Sequence, residues 1–162
     1  MSVVYHEFGP WYRNDSRILI LGTIPSPKSR EEGFYYAHPQ NRVWKVISHV
    51  LGENEPKRID EKKELLDKYH IALWDVINKC DIKGASDSSI TNVVPNDIKN
   101  LIGKTEIKVI ITTGKKSHEL YQKFCLKDTL IQDICLPSTS AANGAYSLNR
   151  LIEEYTIIKN VH

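Results

Sequence analysis

Four short apolar runs, at residues 18–21, 71–76, 107–112 and 130–136, constrain this chain more than anything else in it. Each is rich in isoleucine, leucine or valine, or ends near a turn. That pattern suits strands covered on both faces, as in a parallel sheet. Segments with helical spacing separate them. Val43, Trp44, Val46, Ile47, Val50 and Leu51 recur at i, i+3, i+4 and i+7 after a Pro-Gln-Asn start. Residues 60–68 are charged around Leu65 and Leu66, residues 95–101 open with proline, and 117–124 and 146–155 are amphipathic. The alternation, joined right-handedly, predicts an α/β fold: a three-layer α/β/α sandwich around a central four-stranded parallel sheet. Residues 52–63 are polar and read as a surface loop running into a helix. No repeat or linker divides the chain, so residues 1–162 form one domain, long enough to bury about two-thirds of its unfolded surface.

Composition narrows the chemistry. A net charge of +2 leaves no strong overall field, so contact with nucleic acid has to come from a local basic patch. Cys80, Cys125 and Cys135 are widely spaced and form no CxxC pair, which argues against zinc and iron–sulfur sites and for reduced intracellular thiols. No metal or cofactor is expected. No stretch approaches the roughly 20 apolar residues of a membrane span, and residues 1–6 lack the character of a signal peptide. The expectation is a cytoplasmic monomer with no membrane partner. Neither GxGxxG nor GxxxxGK[ST] occurs, so a generic nucleotide-binding protein is disfavoured.

Open α/β sheets bind ligands at the carboxyl ends of their strands. Three loops should meet there: Gly22-Thr23-Ile24-Pro25-Ser26; Trp74-Asp75-Val76 running on to Cys80-Asp81 and to residues 86–89; and the segment from Leu136 and Pro137 through Ser138, Thr139 and Ser140 to Asn143 and Gly144. Behind the first lies Phe34-Tyr35-Tyr36-Ala37-His38-Pro39-Gln40-Asn41-Arg42-Val43-Trp44. Aromatics interleaved with histidine, amide and arginine suit a planar, flipped nucleobase. His38, as imidazolium, could protonate or hydrogen-bond a purine, and Asp75 could orient water or bind the base edge. Lys28, Ser29 and Arg30 are candidates for phosphate contacts, as are Lys115 and Lys116. The basic residues at 57–63 are interleaved with acids and read as a neutral solvated face.

Gly22-x-x-Pro25-Ser26, then Ala37-His38-Pro39-x-Asn41-Arg42-x-Trp44-Lys45-Val46-Ile47, then Pro137-Ser138-Thr139-Ser140, resembles the uracil-DNA glycosylase superfamily. The string Pro-Ser-x-Lys-Ser-Arg-Glu-Glu-Gly-Phe-Tyr-Tyr at residues 25–36 is similar to its hypoxanthine (deoxyinosine) DNA glycosylase branch. The likeness runs from about Phe8 to Tyr155. It implies a metal-independent, monofunctional enzyme acting on double- or single-stranded DNA that contains a deaminated base. The glycosidic bond of deoxyinosine would be hydrolysed to free hypoxanthine. Tyr36 matches the stacking aromatic and Asn41 the catalytic asparagine. An amide cannot act as a general base, but it can hold water by its carbonyl oxygen and donate N–H to base or sugar. The loops and the resemblance together give an expected base pocket of Gly22, Thr23, Ile24, Pro25, Ser26, Tyr36, His38, Asp75 and Ser138. The expected DNA side is Lys28, Ser29, Arg30, Ser138, Thr139, Ser140 and Asn143.

Two departures bear on mechanism. The wider superfamily carries an acid or amide where this chain has Ile24, and often a histidine or asparagine where it has Leu136. Residues 34–44 then have to supply both the stacking ring and the polar chemistry. Excision of uracil or of a mismatched base is one alternative; a lesion-binding module that kept the pocket without catalysis is the other.

Overall fold

The structure, a computed structural model, describes residues 2–161. Seven strands are present among the described residues: β1 (Ser2–Tyr5), β2 (Ile18–Gly22), β3 (Ile71–Asp75), β4 (Ile77–Ile82), β5 (Thr91–Pro95), β6 (Val109–Thr113) and β7 (Ile134–Leu136). Eight α-helices accompany them among the described residues, α1 (Pro27–Glu32), α2 (Val43–Leu51), α3 (Ile59–Lys68), α4 (Ile98–Gly103), α5 (Lys115–Phe124), α6 (Leu126–Thr129), α7 (Leu148–Tyr155) and α8 (Ile158–Val161), with a 3₁₀ turn at Asp87–Ser89. Strands β3, β2, β6 and β7 lie in that order in an all-parallel sheet.

Alternate residues of β2 feed opposite faces of this sheet, which sets the three layers. Ile18 and Ile20 join Ile71, Leu73 and Ile111 under α2, α3, α7 and α8. Leu19 and Leu21 join Ala72 and Ile110 under α4 and α5. All of β2 is buried, as a central strand with two covered faces requires. On α2, Val43, Trp44, Val46 and Ile47 form the inward face, and burying each is worth about 1.5–3 kcal/mol. Gly52 ends the helix in the left-handed conformation that a β-carbon would disfavour.

The four-stranded parallel sheet and its three layers agree with the expectation, and the departures from it are local. A second, antiparallel sheet of order β1, β4, β5 flanks the α4–α5 side and shares its core through Val4, Cys80 and Ile82. Cys80 and Asp81 therefore stand on a strand rather than in a loop. Residues 130–136 hold strand only from Ile134. Before it α6 closes on Leu130, whose φ is 60°, and the Ile131 carbonyl accepts the Tyr121 hydroxyl. Residues 27–32 form α1: Ser26 caps the Ser29 N–H at 3.2 Å, proline takes the first helical position, and Gly33 ends it. No helix of the described residues is long and apolar enough to cross a membrane.

Candidate active site

Gly22, Asp75 and Thr113 are the last residues of β2, β3 and β6, and Ser138 lies two residues beyond β7. These four strand ends, with the loops that follow, bound a cavity of about 790 Å³. That volume suits one nucleotide or a drug-sized ligand. Its far wall is the β4–β5 hairpin, through Ile82, Gly84, Ser86 and Asp87.

Tyr36 enters this cavity from an unusual backbone. Its φ is 53°, a left-handed conformation costing a non-glycine residue roughly 1–2 kcal/mol. The hydroxyl of buried Ser29 holds the turn by accepting the Ala37 N–H at 3.1 Å. Strain maintained at a cavity wall suggests a selected ring position. Tyr35 also borders the cavity, but it is 2 % exposed and its hydroxyl donates to the Gly9 carbonyl at 3.0 Å, which makes it mostly packing. Burial, and secondarily the Asp75 carboxylate, pushes both phenols well above the ordinary tyrosine value, so both stay neutral.

Asn41 also borders the cavity, two residues before α2. Its Oδ1 accepts the Val43 backbone N–H at 2.9 Å and the Thr139 hydroxyl at 2.9 Å. Because Val43 can only donate, the amide orientation is fixed. The carbonyl oxygen, expected to hold water, is thus committed to the helix and the third loop. The amide N–H₂ remains to meet a ligand.

Arg42 braces the same loop. Its backbone N–H donates to the Thr139 carbonyl, and its guanidinium donates to the carbonyls of Thr139 (3.4 Å), Ser140 (2.8 Å), Asn143 (3.2 Å) and Tyr146 (2.6 Å). Tyr155 of α7 adds a hydroxyl bond to the Pro137 carbonyl at 2.5 Å.

Ile24 brings no carboxyl group to the cavity, but Asp75, at the end of the neighbouring strand, does. Its side chain is 5 % exposed, and Oδ2 is 2.8 Å from Nε2 of His6. Oδ1 lies over Gly22, where a β-carbon would come within 2.5 Å of it. Glycine is needed there because the carboxylate fills a side chain's space. The Asn96 amide donates to the Asp75 and Ile77 carbonyls at 2.9 and 3.2 Å and fixes the backbone where the chain passes between the two sheets.

The cavity gathers every residue expected in the base pocket: Gly22, Thr23, Ile24, Pro25, Ser26, Tyr36, His38, Asp75 and Ser138. His38, as placed, accepts the Gln40 N–H on Nδ1 at 3.1 Å, so Nε2 is the ring nitrogen left to meet a ligand. Two expectations need correction. Thr139 is 1 % exposed and spends its hydroxyl on Asn41, so it cannot contact DNA. Ser29 is 2 % exposed and bonded to Ser26 and Ala37, so it braces the loop instead. Lys28 is partly exposed beside Glu31 and Glu32, whereas Arg30 turns a guanidinium nitrogen to the Pro25 carbonyl. Ser140 and Asn143 remain on the cavity rim. Ser86 and Asp87, expected at the site as part of the second loop, do line the cavity, whereas His6, Thr113, Ile82 and Gly84 were not foreseen; His6 lies 69 residues from its partner, and no spacing rule reveals such a pair. Among the described residues, no cluster of three His, Cys, Asp or Glu is placed to hold a metal ion.

Residues 10–157 match the family described as the uracil DNA glycosylase superfamily. A hypoxanthine DNA glycosylase of Methanosarcina acetivorans is 33 % identical over 150 residues, covering 90 % of this chain and 92 % of that protein. A hypoxanthine DNA glycosylase of Methanosarcina barkeri is 31 % identical over 114 residues, covering 69 % and 72 % respectively. A solution NMR structure from M. acetivorans, described as a candidate uracil DNA glycosylase, superposes with a TM-score of 0.84 at 30 % identity over 99 % of both chains.

Proposed function

Because the chain belongs to the uracil DNA glycosylase superfamily, we propose that it excises hypoxanthine from deoxyinosine in DNA by hydrolysing the N-glycosidic bond. The choice of hypoxanthine over uracil rests on the two similar hypoxanthine DNA glycosylases; the observation that carries discrimination against adenine is Asp75. A deaminated base presents an imino N–H beside a carbonyl. Adenine presents a bare ring nitrogen at the same edge. An ionised carboxylate can only accept, so Asp75 Oδ1 binds the hypoxanthine N1–H and repels the lone pair of adenine N1.

In this reading the damaged nucleotide is flipped into the cavity and its base stacks on Tyr36, a contact worth about 1–3 kcal/mol. The glycosidic bond breaks largely before water attacks. Charge then develops on the leaving base, and preorganised N–H donors stabilise it. The Asn41 amide N–H₂ and the His38 Nε2–H are the donors available. Asn41 acts as a dipole braced from two sides. Ile24 offers no polar group, and Leu136 is 6 % exposed in the core. No lysine lines the cavity among the described residues, which supports a monofunctional enzyme that leaves an abasic site.

On the DNA side, Lys28, Ser138, Ser140 and Asn143 meet the backbone and the gap left by the flipped base. Small residues at Ser140, Ala141 and Ala142 insert little bulk. The enzyme works as a monomer on duplex or single-stranded DNA in the cytoplasm, a setting its three unpaired cysteines suit. The test is a single-site deoxyinosine duplex treated with the protein and then with alkali. Alkali-dependent cleavage at the lesion is expected, exceeding that of a matched uracil duplex. Stronger cleavage at uracil would favour the uracil-excising alternative, and no cleavage with excess protein would leave only a binding role.

A further inference from the structure

His6 has no assigned role, yet its placement is costly. Its side chain is 1 % exposed, and its ring packs edge-on to Phe8 at 4.9 Å and tilted against Tyr35 at 5.9 Å. The backbone is pinned as well, since the His6 N–H donates to the Asn78 carbonyl at 2.7 Å as the chain leaves β1. Nε2 meets Asp75 Oδ2 at 2.8 Å, and Nδ1 is buried with no hydrogen-bond partner. A buried polar atom left unpaired costs about 1–3 kcal/mol, so its retention calls for a reason.

The tautomer follows from this geometry. A proton on Nδ1 would bury an N–H without an acceptor and turn the Nε2 lone pair toward a carboxylate oxygen. A proton on Nε2 leaves only one lone pair unmet and makes a charge-assisted bond to Asp75. The second arrangement is the favoured one. It fixes Oδ2 at the ring, and Gly22 leaves space for Oδ1. The carboxylate plane is then held at both ends, with Oδ1 over Gly22 at the floor of the cavity.

We propose that His6 is the positioning residue for base selection: it locks Asp75 so that one oxygen presents only an acceptor to the base edge, favouring bases with an imino N–H. The proposal rests on reading the cavity as a hypoxanthine pocket. Without the Nε2–H donor, Oδ2 is buried unpaired and the carboxylate turns to find another donor, so the edge is read loosely.

The test compares duplexes carrying deoxyinosine with duplexes carrying deoxynebularine, a purine with neither the N1–H nor the 6-oxygen beside it. It uses wild type, His6→Phe and His6→Gln, whose amide reaches about where Nε2 stands. Wild type should favour deoxyinosine in kcat/KM by on the order of 10- to 100-fold, the value of one hydrogen bond to a charged group. His6→Phe should lower that ratio by about tenfold or more, with the loss falling on deoxyinosine, and His6→Gln should restore much of it. An equal fall on both substrates, or an unchanged ratio, overturns the proposal while leaving the enzyme a hypoxanthine glycosylase. Failure of wild type to release hypoxanthine overturns the pocket reading and this proposal together. Should His6→Phe not fold, ¹⁵N NMR of the wild-type His6 ring decides. An Nε2–H tautomer whose signal moves with added hypoxanthine, and not with adenine, supports the proposal; an Nδ1–H tautomer or an unresponsive ring overturns it.

Discussion

Replacing Arg42 with methionine should loosen the loop on the DNA side of the cavity without touching the base pocket directly. The aliphatic stem survives, while four donor–carbonyl bonds to residues 139, 140, 143 and 146 are lost. Bonds from a charged donor are worth about 1.5–3 kcal/mol each, but four on one guanidinium do not add, and partly exposed carbonyls recover water. The two shortest, at 2.6 and 2.8 Å, carry most of the effect, so a loss of about 2–5 kcal/mol is expected. For a domain of this size that lowers Tm by about 5–15 °C. Arg42→Lys, with a compact ammonium in place of the planar fork, should fall between the two. Amide hydrogen exchange locates the damage: protection should drop at residues 139–147 and stay unchanged in β2 and β6. Activity on deoxyinosine should fall as well, because the Thr139 hydroxyl that orients Asn41 belongs to the loosened loop. Unchanged protection across 139–147, with a Tm within about 1 °C of wild type, would refute the bracing argument.

Tyr36→Ala keeps the left-handed backbone but removes the ring, so kcat/KM on deoxyinosine should fall by about 5- to 150-fold. Tyr36→Phe, which loses only a 3.5 Å contact with Thr113, should stay within about threefold of wild type. Gly22→Ala puts a methyl into the carboxylate of Asp75 and should reduce kcat/KM by at least about tenfold. Full activity in that variant would mean that Asp75 lies outside the reaction. Asp133 gives a pH dependence. Burial opposes its ionisation, but bonds from Thr112, His118 and Gln122 outweigh it and hold the carboxyl below the usual aspartate range. Its folded pKa is thus depressed. The contribution is fully present above the unfolded value near 4 and is lost as pH falls through the folded value. Urea unfolding between pH 6 and pH 3 should show wild type losing stability on the acid side and Asp133→Asn losing less.

The parallel sheet was legible because β2, β3 and β6 are buried on both faces, which leaves unbroken apolar runs in the sequence. The antiparallel sheet was not. Ile77–Ile82 mixes apolar with polar residues immediately after β3, Ser2–Tyr5 is mostly solvated, and Thr91–Pro95 has an exposed edge. Helix α1 did carry its signature, a serine cap, a proline and a closing glycine, but its six residues show too little apolar periodicity to stand out. At the site, Tyr36, Asn41 and the loop ends follow from motif and strand position. The hydrogen bonds that change their chemistry do not. Thr139 reaches Asn41 across 98 residues, and His6 reaches Asp75 across 69, through contacts that only the packed sheets create. A sequence gives the side chains a site needs; which lone pairs are already taken depends on the tertiary fold.

The most direct test of the glycosylase reading is mass spectrometry of the small-molecule fraction released from a single-site deoxyinosine duplex, with the DNA strand run on a gel before alkali. One equivalent of free hypoxanthine per duplex is expected, with the strand intact before alkali and cut at the lesion after it, and with both the free base and the alkali-dependent cut lost in Asn41→Ala. No free base at stoichiometric protein, or undiminished release by Asn41→Ala, would contradict that reading.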